Sequence, residues 1–218
     1  IIGVVAAMTL PVLIQKNNNR VVETRLKVFY TTINQAIRMS EAVNGDKKYW
    51  WDSLSDVCDP TVDPDKGYST MYSEKCLMAF YDKYLNGYLK VLKIEPGIQF
   101  SDKRPILLIY LPNGSGIWLG YGGHDYHFFP YALDMKNEKA VYGRDYFMFG
   151  FYPTSISPAR CNVSAPYTNK GVEPYIYSQN WDKWDCTIKG ALDFHWYSYA
   201  IRMNDWKIPD DYPYKVKY

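Results

Sequence analysis

The 218 residues are 47% hydrophobic and 22% charged, too apolar for a disordered chain and long enough for one substantial core, so a single domain with an appendage is expected. Basic residues outnumber acidic ones by 25 to 23, a net charge of +2, which excludes the strong positive field of a charge-driven nucleic-acid binder. Aromatic residues are the outlier, with 22 tyrosines, 7 tryptophans and 9 phenylalanines, and they point to β-structure with broad half-exposed surfaces.

The chain opens on Ile1-Ile2-Gly3-Val4-Val5-Ala6-Ala7-Met8-Thr9-Leu10-Pro11-Val12-Leu13-Ile14-Gln15, and its first charge is Lys16. As a helix this apolar run would be about 22 Å long, short of the roughly 30 Å hydrocarbon core of a bilayer. The basic n-region and small-residue cleavage site of a secretory signal peptide are not visible in it. Pro11 removes one helical hydrogen bond and predicts a kink or local loosening. A single-pass anchor with an incidental proline is the plainer alternative.

From Val12 to Gly45 the pattern is amphipathic, with Val22, Leu26, Phe29, Ile33, Ala36 and Val43 spaced as one helical face. Asn44-Gly45-Asp46 supplies the stop, glycine taking the left-handed position after the last turn. A helix over 1–44 would be about 65 Å long. No domain of this size buries such a helix, so its first half must project into something else. Residues 1–45 therefore read as one helix that projects from the globular part, 46–218.

Asp52 to Ser73 is a polar connecting loop, Glu74 to Lys93 a helix whose broad face carries Leu77, Phe80, Tyr81, Tyr84, Leu85, Tyr88, Leu89 and Leu92, and Ile106 to Leu111 with Ile117 to Tyr121 a hairpin about Pro112-Asn113-Gly114-Ser115-Gly116. Strands over Phe128 to Met135 and Asp145 to Tyr152 complete a predicted antiparallel sheet, because no helix separates the four. The amphipathic half of the first helix can lie across its apolar face. Pro153 to Asn180 reads as a long loop, and Cys186 to Met203 as a last helix.

Cys58, Cys76, Cys161 and Cys186 show neither CxxC nor zinc-site spacing, which favours two disulfides and an oxidising compartment. Of the three connectivities, Cys58 with Cys76 and Cys161 with Cys186 closes the shortest loops. Four buried thiols in a cytosolic protein are the alternative.

Candidate chemistry is sparse. His124-Asp125-Tyr126-His127 has metal-ligating types but reads as a sheet-edge loop without a third ligand set. Gly114-Ser115-Gly116 lacks the spacing of a nucleophile elbow. Asp63-Pro64-Asp65-Lys66-Gly67, with Glu74 further on, is a weak calcium-loop candidate whose glycine is one position early. No catalytic or cofactor-binding set emerges, and calcium is the one ion the sequence suggests.

The run Ile1 to Leu13, followed by the amphipathic Thr24 to Val43 segment, resembles the N-terminal helix of type IV pilins and type II secretion pseudopilins. Asp134-Met135-Lys136-Asn137-Glu138-Lys139, then Gly143-Arg144-Asp145-Tyr146-Phe147-Met148-Phe149, is similar to that family's Asp-x-Asn-Gly-x-Lys turn and Gly-Arg-Asp-x-Phe-x-Phe strand, with Glu138 standing where the family has glycine. Cys186-Thr187 and Asn204-Asp205-Trp206-Lys207-Ile208 resemble its carboxy-terminal elements.

The resemblance implies an α+β, pilin-like fold: a long N-terminal helix, its apolar half projecting and its amphipathic half on an antiparallel sheet, and a disulfide-pinned C-terminal region. It implies a non-enzymatic filament subunit, single-pass in the inner membrane with a periplasmic domain before assembly and at the cell surface after it. Ile1, Ile2, Gly3, Val4, Val5, Ala6, Ala7, Met8, Leu10, Pro11, Leu13 and Ile14 would be the membrane and assembly helix. Partners would be other pilin or pseudopilin subunits, the membrane, the assembly platform and prepilin peptidase, with no nucleic acid. A tethered or filament-tip binding module is the competing reading, using Trp50, Trp51, Trp118, Trp181, Trp184 and Trp196 to stack on sugars or DNA.

Overall fold

A computed structural model describes residues 2–63, 67–155, 166–176 and 185–218. The first helix, α1 (Ile2–Asn44), runs uninterrupted through Pro11. It stops as the sequence requires: Gly45 has φ +81°, and its N–H donates to Glu41 O at 3.0 Å, closing the last turn. Asp46 then caps the following turn by accepting from Lys48 N.

Six strands form one antiparallel sheet in chain order: β3 (Lys93–Ile98), β4 (Pro105–Tyr110), β5 (Gly116–Gly120), β6 (Asp125–Phe129), β7 (Phe147–Gly150) and β8 (Glu173–Pro174). A separate two-residue ribbon, β1 (Val62–Asp63) with β2 (Tyr68–Ser69), lies in the loop closed by the Cys58–Cys76 disulfide. That pairing is the sequential one. Cys186 is also disulfide-bonded, while Cys161 lies outside the described residues.

The alternation along the strands puts Leu107, Ile109, Ile117, Leu119, Phe128 and Phe149 in the same buried core as α1. The helix meets them with Val22, Leu26, Phe29, Ile33, Ala36 and Ile37, each at most 3% exposed. Phe29 is the centre of the contact, stacked at 4.5 Å on Phe128 and edge-on at 4.9 Å to Phe149. Val43, expected on this face, is 72% exposed, and Ser40 is buried in its stead. A 3.6-residue period carries the stripe from Ile33 through Ile37 to Ser40, and Val43 falls outside it.

Several elements differ from expectation. The helix predicted to Lys93 is α2 (Glu74–Phe80) followed by a π-helical turn, Tyr81–Leu85. It stops because Gly87 turns left-handed at φ +84°, and the chain continues into β3. The strand predicted over 128–135 is β6, set three residues earlier, and Ala132–Lys136 is a 3-10 turn. His124-Asp125-Tyr126-His127 is consequently not an edge loop, because Asp125 and His127 belong to a strand between β5 and β7. The last helix is two, α3 (Ile188–Asp193) and α4 (Tyr197–Met203), broken at His195, whose φ is +59°. Both pack on an aromatic cluster around Trp196, Tyr197 and Tyr199.

Candidate functional site

Two places on this frame are candidates for a functional site. The first is the end of α1. From Gln15 onward the helix is tied to the domain: the Gln15 amide donates to Val216 O at 3.1 Å, Glu23 Oε1 accepts from Ile208 N at 2.9 Å, and the Asn34 amide donates to Val172 O at 2.8 Å. Arg25 donates to Pro130 O and, at 2.6 Å, to the Tyr218 hydroxyl, with its guanidinium 4.3 Å above the Tyr218 ring. Tyr30 donates to Glu173 at 3.0 Å, and Arg202 closes the triad by pairing with Glu173. Burial first, and then the Glu173 charge, push the Tyr30 phenol up to about 12.

Before Gln15 the character changes. Leu10 is 58% exposed, Val12 66%, Leu13 61% and Ile14 53%, and Pro11 is exposed with them. Of the remaining predicted assembly positions, Ile1 lies outside the described residues. Ile2 to Met8 are helical backbone whose side chains also lie outside them. Leu10 to Ile14 therefore form a contiguous exposed apolar surface. No helix among the described residues is long and apolar enough to cross a membrane.

The second place is the sheet face turned away from α1. Its centre is a small core of Ile106, Leu108, Trp118, Phe129, Ala132 and Met135, and the Trp118 indole N–H is fixed to Met135 O at 3.1 Å. Beside it a cavity of about 140 Å³ opens among Tyr72, Gln99, Asp102, Arg104, Asp125 and His127. Arg104 follows the β3–β4 turn, where Lys103 takes φ +60°. Its guanidinium pairs with Asp102 at 3.2 Å and donates to the Tyr72 hydroxyl at 2.7 Å. Asp125 accepts from the Tyr152 hydroxyl, and burial raises its carboxyl above the ordinary range. The sequence singled out Asp125, His127 and Trp118, but gave no signal for Tyr72, Gln99, Asp102 or Arg104.

Burial holds His124 and His127 neutral at physiological pH. His124 stacks on Trp51 at 3.9 Å, its Nδ1 lies 2.9 Å from Tyr121 O, and burial lowers its pKa to about 4. Burial lowers His127 to about 4 as well. Unfolding restores values near 6.5, so between pH 6.5 and 4 the unfolded chain binds protons that the folded one refuses. Stability from these groups is complete above pH 6.5 and is lost as pH falls toward 4. Asp125 acts in the opposite sense, because its raised carboxyl value removes stability as pH rises. The urea midpoint is expected to drop between pH 7 and pH 5, with a shallower drop in His124→Gln. Equal slopes in the two proteins would remove His124 as a cause.

No group of three or more His, Cys, Asp or Glu that could hold a metal ion occurs among the described residues. Of the calcium-loop candidate, Pro64, Asp65 and Lys66 lie outside them. Exposed aromatics among the described residues are Tyr49, Tyr131 and Tyr218; Trp50, Trp118 and Trp196 are buried, Trp51 is half-buried against His124, and Trp181 and Trp184 lie outside the description. The stacking platform of the competing reading is not formed by the described tryptophans.

The chain is thus an α+β protein with a six-stranded antiparallel sheet, a long N-terminal helix clamped across one face and a small polar cavity on the other. It belongs to the family described as Family of unknown function (DUF6613), whose model matches residues 12–216. No curated protein and no solved structure matches the chain.

Proposed function

We propose that the chain is a structural subunit that assembles through the N-terminal half of α1, in the manner of a type IV pilin or secretion pseudopilin. The observation that carries the reading is the change along one continuous helix: between Gln15 and Asn44 one face is buried and hydrogen-bonded to the domain, whereas from Leu10 to Ile14 every residue is apolar and exposed. Copies packed through this segment would remove apolar surface from water at roughly 25 cal/mol per Å². A head-to-tail contact that does not close on itself builds a helical filament. In this reading the segment rests in the inner membrane before assembly, and the Cys58–Cys76 disulfide fits an oxidising periplasm.

Removing residues 1–14 tests the reading. The shortened chain retains every contact from Gln15 onward, so it is expected to fold and sediment as a monomer. The full chain in mild detergent is expected to associate once the detergent is diluted. Equal sedimentation of both proteins after dilution would refute assembly through this segment.

A further inference from the structure

We propose that the cavity on the sheet face opposite α1 is a binding site for a neutral sugar residue. It is assembled from segments far apart in the chain. The β3–β4 turn contributes Gln99, Asp102 and Arg104, β6 contributes Asp125 and His127, and Tyr72 reaches in from the turn before α2. Ile106, Trp118 and Met148 make the apolar wall.

Three observations support a ligand. The first is Gly120, the register partner of Asp125. Its backbone is ordinary extended chain, φ −128° and ψ 176°, and an added Cβ would meet only ordinary contacts, 3.8 Å from Asp125 and Ile106. Neither backbone nor packing demands glycine there. What its missing side chain does is leave the cavity floor open, as a strand glycine does where a ligand approaches. The second is His127, a strand residue whose ring lines both this cavity and the hollow beside it.

The third is the charge and shape of the lining. Arg104 is offset by Asp102 at 3.2 Å, and Asp125 adds acid, so the cavity holds no surplus positive charge for a phosphate or carboxylate. It offers donors and acceptors together: guanidinium, amide, imidazole and phenol beside two carboxyl groups. Hydroxyls both donate and accept, and a sugar ring adds an apolar C–H face to match the Ile106, Trp118 and Met148 wall.

Size limits the ligand as well. At about 140 Å³ the chamber is well below the roughly 300 Å³ at which drug-sized sites begin, which suits one ring. A second hollow of about 250 Å³ shares Gln99, Trp118 and His127 with it and reaches Asn137 and Tyr146. The adjoining residue of a glycan would lie there.

Saturation-transfer NMR on the full chain tests the site, with methyl glycosides of glucose, galactose, mannose and N-acetylglucosamine as probes and inorganic phosphate, which has no carbon-bound proton of its own to read, as an anionic competitor. At least one glycoside is expected to bind with a millimolar or lower Kd. Gly120→Leu, which fills the floor, should abolish its signal, and Arg104→Gln should weaken binding at least about tenfold. Arg104 is partly exposed, so this second variant keeps the test valid if Gly120→Leu fails to fold. Absence of transfer to every glycoside, unchanged glycoside binding in folded variants, or displacement of the glycosides by equimolar phosphate would each overturn the proposal.

Discussion

Phe29→Ala is expected to lower the melting temperature of the domain by about 10 °C, the largest stability effect of any single truncation on α1. The ring is 3% exposed and touches two strands at once, through Phe128 on β6 and Phe149 on β7. Removing a buried phenylalanine costs about 3–5 kcal/mol from lost burial and the cavity left behind. In a domain of this size each kcal/mol moves the midpoint by roughly 2–4 °C. The paired control is Leu13→Ala, which removes an exposed side chain of the same helix and should leave the midpoint in place. Differential scanning calorimetry on the two variants in one detergent checks both. If Phe29→Ala melts with the parent, α1 does not hold the sheet in the way the geometry requires.

Leu13→Asp should have the opposite profile, with fold and melting temperature retained and association lost. Leu13 is 61% exposed on the segment ahead of the first tie at Gln15, so a carboxylate there meets water in the monomer and costs the fold almost nothing. Between packed apolar helices the same charge would be desolvated without a partner, a penalty of several kcal/mol per subunit contact. The cost repeats at every contact in an assembly. Sedimentation after detergent dilution should find monomer only, with the circular dichroism spectrum of the parent. Parent-like association of Leu13→Asp would show that this stretch of helix is not the contact.

The parts of this molecule legible in its sequence are those set by short-range physics. The α1 stripe follows from a 3.6-residue period, its end from Gly45, and the β4–β5 hairpin from Pro112-Asn113-Gly114-Ser115-Gly116, where Gly114 takes φ +80°. The sequential Cys58–Cys76 pair follows from loop length. Elements lost to view are those where a local signal points the wrong way. β3 contains Pro96 and Gly97 and extends a helical run of apolar residues, yet as the sheet's edge strand it tolerates both. β6 begins on Asp125 and carries His127, polar residues that make a central strand resemble a loop because one of its faces lines the cavity. β8 is two residues, Glu173 and Pro174, too short for any pattern. The cavity itself was illegible beyond Trp118, Asp125 and His127, since its walls span Tyr72 to Met148 and only the sheet register brings them together.

Disulfide trapping between copies of α1 tests the central claim most directly. Cysteine at Val12 is placed on the exposed apolar segment and, for comparison, at Lys27, exposed on the clamped half of the same helix. Mild oxidation of the assembled protein should give covalent dimers from Val12→Cys, and Lys27→Cys should stay monomeric. Dimers from Lys27→Cys with none from Val12→Cys would contradict assembly through the projecting half of the helix.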